Sequence, residues 1–99
     1  MKILSIRTLR EFWEQPNRRD AEQQLKAWYD EARVATWQNP QAVKNAYGTA
    51  SIVPGNRVVF NIAGNKYRLV VAMDYPRQWC KVRFVGTHGE YDKIDVTKV

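Results

Sequence analysis

The chain reads as an α+β fold: two to three N-terminal helices packed on one face of a three- to four-stranded antiparallel sheet, in one domain over residues 1–99. Three observations predict this. Apolar residues recur at helical spacing between Ala21 and Ala35, and at a spacing of two between Val58 and Phe84. The two patterns occupy separate halves of the chain, as expected for helices segregated to one side of a sheet. Ninety-nine residues leave room for one core and for no separate cofactor domain.

Met1 to Ile6 fits a short first strand. Thr8-Leu9-Arg10-Glu11 then matches a capping box, with Ser5 as an earlier alternative cap, and Leu9, Phe12 and Trp13 give the first helix one apolar side. Pro16-Asn17 ends it. Ala21, Leu25, Trp28, Ala32 and Ala35 form a single stripe, which defines the second helix, and Trp28 and Trp13 read as core aromatics. Asn39 caps a short third helix with Pro40 in its first turn. Val43, Ala46 and Tyr47 are expected to face inward, and Gly48 to end the helix in the left-handed conformation. Thr49 to Asn56 is expected to be loop around Pro54-Gly55.

The remainder alternates as strand. Val58, Phe60 and Ile62 lead to a Gly64-Asn65 hairpin turn, then Tyr67, Leu69, Val71 and Met73, then Val82 and Phe84 after a loop at Tyr75 to Gln78. The turns set the register. Asn61 falls opposite Arg68, and Arg83 opposite Val70, diagonal to Arg68. Phe60, Leu69, Val82 and Phe84 then share the covered face, leaving Asn61, Arg68, Lys81 and Arg83 on an open, basic one.

Charge points to the class of partner. Sixteen Lys and Arg against ten Asp and Glu give a net charge of +6 and a pI near 9.7, which suits a polyanion. Between Gln41 and Arg83 the only acid is Asp74, an asymmetry that favours a basic face over a uniformly basic surface; the alternative is a soluble domain whose surface is simply basic. One cysteine and one histidine rule out a disulfide framework and an ordinary Cys/His zinc site. No apolar run approaches a membrane span or a signal peptide, so a cytoplasmic protein without membrane, metal or cofactor is expected.

Arginine is unusual inside strands. Arg68 and Arg83 either lie on a solvated face, paired with Asp74 or Glu90, or form a bidentate clamp on phosphate. His88, in Val85-Gly86-Thr87-His88-Gly89-Glu90-Tyr91-Asp92, follows the last strand. It is either a surface or capping residue or a proton-transfer group, a role imidazole suits near neutral pH. Tyr91, three residues on, shares the same side of any helical turn or anchors the C-terminal segment. Together these groups suit RNA cleavage by 2′-OH attack, in which a base, an acid and fixed positive charge suffice. DNA lacks that hydroxyl.

Phe60-Asn61, Gly64-Asn65-x-Tyr67-Arg68-Leu69-Val70-Val71-Ala72 and Arg83-Phe84-Val85-Gly86-Thr87-His88-x-Glu90-Tyr91-Asp92-Lys93-Ile94-Asp95 together resemble the HigB-type toxins of the RelE/ParE-like superfamily. Arg10 to Glu14 and Ala27-Trp28-Tyr29 are similar too. The resemblance implies a RelE-like fold and a toxin of a type II toxin–antitoxin system. It further implies an mRNA interferase that cuts mRNA on the ribosome and is neutralised by a helix-turn-helix antitoxin. It places a catalytic arginine at Arg68 and the positions after the last strand at His88 and Tyr91; Arg83, from the strand reading above, is the remaining catalytic candidate. Asn61, Lys66, Lys81 and Lys93 are the candidate RNA contacts. A basic RNA-binding module without chemistry, or a gyrase-directed relative on the same fold, is the alternative.

Overall fold

The structure, a computed structural model, describes all residues 1–99. In chain order it contains β1 (Lys2–Leu4), α1 (Ile6–Trp13), a 3₁₀ segment (Pro16–Ala21), α2 (Glu22–Val34), α3 (Pro40–Ala46), β2 (Ser51–Val53), β3 (Arg57–Ile62), β4 (Tyr67–Asp74), β5 (Trp79–Thr87) and α4 (His88–Tyr91). The fold is α+β, as the patterning predicts. The sheet has five strands in the order β1-β5-β4-β3-β2. It is mixed rather than wholly antiparallel, because β1 runs parallel to β5 while the other neighbours are antiparallel. No helix is long and apolar enough to cross a membrane.

The fifth strand comes from the segment expected to be loop. Ser51–Val53 pairs with β3, and Pro54 falls just past the strand, where its missing N–H costs no ladder bond. Gly55 and Asn56 take positive φ, 84° and 58°, which is what the tight return needs.

Local signals at the helix ends are partly redirected. Ser5 precedes α1, but in the left-handed region (φ 66°) and without a side-chain cap; its carbonyl accepts from the Thr8 N–H at 3.0 Å. Thr8 and Glu11 form no capping box, since both lie within α1, where Glu11 pairs with Arg7 at 2.6 Å. On α2 the predicted stripe holds: Leu25, Trp28 and Ala32 are buried. Asn39 caps α3 by accepting from the Ala42 N–H at 2.9 Å. Ala46 is exposed, and Gly48 does not take positive φ. Tyr47 leaves the helix instead, its N–H still bonded to the Val43 carbonyl at 2.8 Å and its ring packed edge-on to Phe60 at 5.1 Å.

The core lies between the helices and one face of the sheet. Trp28 and Phe60 meet edge-to-face at 5.5 Å, and Phe12 meets Tyr67 at 5.3 Å, arrangements that aromatic quadrupoles favour. Cys80 is fully enclosed there, and burial pushes its thiol up to about 12. Because the thiolate is the reactive species, Cys80 is expected to resist alkylation in the native protein and to react only on unfolding. Titration with a thiol reagent, with and without denaturant, checks this; native-state labelling at the denatured rate contradicts it.

A β-bulge changes the register of β5. Val71 faces Val82 but Val70 faces Phe84, which leaves Arg83 unpaired between them. A bulge adds one residue and reverses the alternation beyond it. Asp74 to Val71 pair as the turn predicts; past the bulge Arg68 faces Gly86 rather than lying diagonal to Arg83. Val85 therefore packs on the core. Phe84, expected inside, turns outward and lies over Gly86: a Cβ there would sit 2.6 Å from its ring.

The outward face is not fully open either. Val59 and Val70 are 3% and 0% exposed although they point away from the helices. The segment after α4 returns across this side. At its far end the outward-pointing Arg57 donates from Nε and Nη2 to the Val99 carbonyl, at 3.0 and 2.8 Å. Burial of Val59 and Val70 keeps two apolar side chains from water, while Arg83, at the bulge on β5, stays exposed.

Candidate active site

The exposed end of the sheet is built by three short elements. The β3–β4 turn carries Lys66 and leads into Arg68. The end of β5 carries Gly86 and Thr87. The single-turn helix α4 carries His88 and Tyr91. Asn61, Arg68 and Gly86 lie side by side across β3, β4 and β5, so the predicted Asn61–Arg68 pairing is present. One step further out, the His88 N–H donates to the Lys66 carbonyl at 3.2 Å. His88 thus stands about two strand residues, roughly 7 Å along the axis, from the level of Arg68.

A helix of four residues has almost no stability of its own, because nucleation fixes several residues for few hydrogen bonds. Here the ends are secured. The Thr87 hydroxyl accepts from the Glu90 N–H at 3.1 Å, and the Glu90 carboxylate accepts from the Thr87 N–H at 2.8 Å. This is a full capping box. Thr87-x-x-Glu90 and Thr8-x-x-Glu11 share one sequence pattern, and only the former stands at a helix start. His88 Nδ1 lies 3.2 Å from the Asp92 carboxylate, with its side chain 55% exposed. Tyr91 is half-buried at the end of the same turn.

The candidate residues do not all gather here. Asn61, Lys66, Arg68 and His88 belong to the β3–β4 turn end of the sheet, and Tyr91 closes α4 next to it. Arg83 sits exposed at the bulge, two to three residues along the strands from Arg68, and is not its partner. Lys81 faces Ala72, four residues along β4 from Arg68, roughly 13 Å away by strand rise. Lys93 follows α4 and is exposed. Asn61 donates to the Thr49 carbonyl at 3.2 Å, and Arg68 Nη1 to the Asn65 carbonyl at 3.1 Å. The groove between α1 and α2, lined by Ile6, Arg10, Trp13, Lys26 and Tyr29, contains none of these residues.

Two contributors have no signal in the sequence. Arg18 reaches Glu90 at 3.0 Å, and Asp20 accepts from Lys66 and from the Tyr67 hydroxyl. Both come from the 3₁₀ segment, far away in the chain. Lys66 therefore has a carboxylate partner, and Arg68 has none. Hydrogen bonds from Lys66 and Tyr67 hold the Asp20 carboxyl below its ordinary value. The Thr87 N–H, followed by Arg18, does the same for Glu90. Burial, then the Asp20 hydrogen bond, raises the Tyr67 phenol.

Carboxyls with depressed folded values contribute stability above the ordinary carboxylate range and lose it as pH falls through those depressed values. Below about pH 4, α4 and the β3–β4 turn are expected to loosen before the core unfolds. Amide exchange of Thr87 to Asp92 followed against pH measures this. Protection unchanged down to global acid unfolding contradicts it.

A search of curated protein sequences finds no match for the chain. A family model described as HigB toxin, RelE-like toxic component of a toxin–antitoxin system, matches residues 21–94. The match takes in the whole sheet except β1 and all of α2, α3 and α4. The chain therefore belongs to the HigB toxin family and is the RelE-like toxic component of a toxin–antitoxin system, the counterpart of an antitoxin partner.

Proposed function

We propose that this toxin is an endoribonuclease that cuts mRNA on the ribosome in the cytoplasm, by 2′-OH attack on the adjacent phosphate and without a metal. What supports the reading is an exposed histidine that begins the turn after β5, at the end of the sheet where Arg68 on β4 forms no ion pair. The His88 backbone is bonded to that of Lys66, on the edge of the site that presents Arg68. Guanidinium is a good match for the charge that builds on the phosphoryl oxygens. His88 carries the proton to or from the reacting oxygens, and Tyr91, on the same turn, assists proton transfer or stacks on a base.

The remaining cations extend the site into a track. Arg83 and Lys81 continue along β5, and Lys93 lies beyond α4. They suit contacts to flanking phosphates, which position RNA without reading its sequence. Asn61 and Lys66 join them by exchanging their present partners, Thr49 and Asp20. The antitoxin in this reading is a helix-turn-helix protein.

Induced expression is expected to arrest growth and to produce cuts within translated coding regions, mapped by primer extension. Intact transcripts with salt-sensitive RNA binding would favour a module without chemistry. DNA-damage signalling with intact transcripts would favour a protein target.

A further inference from the structure

The 3₁₀ segment touches both halves of the candidate site, and with opposite charges. Arg18 is only 21% exposed along its side chain. Its guanidinium stacks 5.2 Å from the Phe12 ring centroid, donates from Nη1 to Gln15 Oε1 at 2.9 Å, and meets Glu90 from Nη2 at 3.0 Å. Its Nε is buried without a partner, a cost that a surface ion pair would not incur. The backbone of Arg18 is itself kinked, with φ −127° and ψ 16°. Two residues on, Asp20 bridges Lys66 and the hydroxyl of the buried Tyr67.

We infer that Arg18 and Asp20 are positioning residues, a two-point clamp that holds α4 and the β3–β4 turn at a set separation so that His88 and Arg68 address one phosphate. The inference rests on the nuclease reading above. Neither element is rigid alone. α4 is a single turn, and the turn before Lys66 includes Ala63 and Gly64 at φ 54° and 69°. The clamp has a second consequence. Glu90 neutralises Arg18 and Asp20 neutralises Lys66, which leaves Arg68 as the cation of this cluster without a carboxylate. Lysine could not replace Arg18, since a point charge cannot stack, bond Gln15 and reach Glu90 together.

The test uses the full-length toxin with Arg18→Ala, Arg18→Lys, Glu90→Gln and Asp20→Asn. Two readouts are taken: kcat and KM for mRNA cleavage in a purified translation system, and amide exchange at α4 with the His88 ring signals in the free protein. Small displacements of reacting groups are costly, so Arg18→Ala and Glu90→Gln are each expected to lower kcat about 10- to 100-fold, with KM within about threefold. Exchange at Tyr91 and Asp92 should quicken, and Arg18→Lys should not restore either property. The Arg18→Ala/Glu90→Gln double variant should be no worse than Arg18→Ala, since both remove one interaction. If Arg18→Ala fails to fold, Glu90→Gln, which alters a half-exposed carboxyl, carries the test alone. Unchanged α4 exchange, or losses that multiply in the double variant, would overturn the clamp. A wild-type toxin that cuts no RNA would remove the nuclease reading, while the exchange data still decide whether Arg18 and Asp20 hold the two elements.

Discussion

His88→Ala is expected to lower mRNA cleavage by about 10²–10⁴-fold, the contribution typical of a positioned general acid or base. The fold should be unaffected. The side chain is 55% exposed, and its partner Asp92 is 59% exposed, so losing the pair costs at most about 1 kcal/mol. The capping box that starts α4 uses Thr87 and Glu90, not the imidazole. Activity and stability are thereby separable at this position. The measurement is single-turnover cleavage beside thermal unfolding, with growth of expressing cells as the coarse readout. Cleavage within about threefold of wild type would take His88 out of the chemistry and leave it a surface residue.

Arg68→Ala is expected to cost about 10²–10³-fold in kcat, the usual loss when one preorganised donor to developing negative charge is removed. Arg68→Lys is the sharper variant. It keeps the charge but removes the planar fork that matches two phosphoryl oxygens, so it should recover only part of that loss. Arg68 is half-buried on β4, flanked by Asn61 and Gly86, and tethered through the Asn65 carbonyl. The Asn65 hydrogen bond is the one contact that orients the guanidinium. If the effect fell on KM while kcat held, Arg68 would be a binding contact rather than a stabiliser of the transition state. If Arg68→Lys equalled wild type, a point charge would suffice and the bidentate account would fail.

Much of the fold was legible in the residues. The stripe from Ala21 to Ala32, the Asn39-Pro40 start of α3, and the Asn61–Arg68 pairing all follow from spacing and turn chemistry. These features depend on neighbours within a few residues. Three others misled. Thr8-x-x-Glu11 carries a capping pattern that α1 does not use, because the chain already turns at Ser5. Ser51–Val53 reads as loop, and becomes a strand only because β3 offers it an edge. Phe84 reads as core, until the bulge at Arg83 turns it over Gly86.

Helical period, strand alternation and the cluster of arginines ahead of a lone histidine are properties of sequence order. They determined the fold class, most of the pairing and the candidate chemistry without reference to distant parts of the chain. Tertiary structure decided where those candidates fall along the sheet: Lys66, Arg68 and His88 at the β3–β4 turn end, with α4 and its Tyr91 following, and Lys81 and Arg83 further along β5. It also decided that the chain end reaches Arg57 while Val59 and Val70 are buried on the outward face, and that Arg18 and Asp20 meet Glu90 and Lys66 from the 3₁₀ segment. The physical reason is range. Local spacing governs helices and turns, whereas bulges, ion pairs across 46 residues or more and the covering of apolar side chains depend on which surfaces meet once the core has packed.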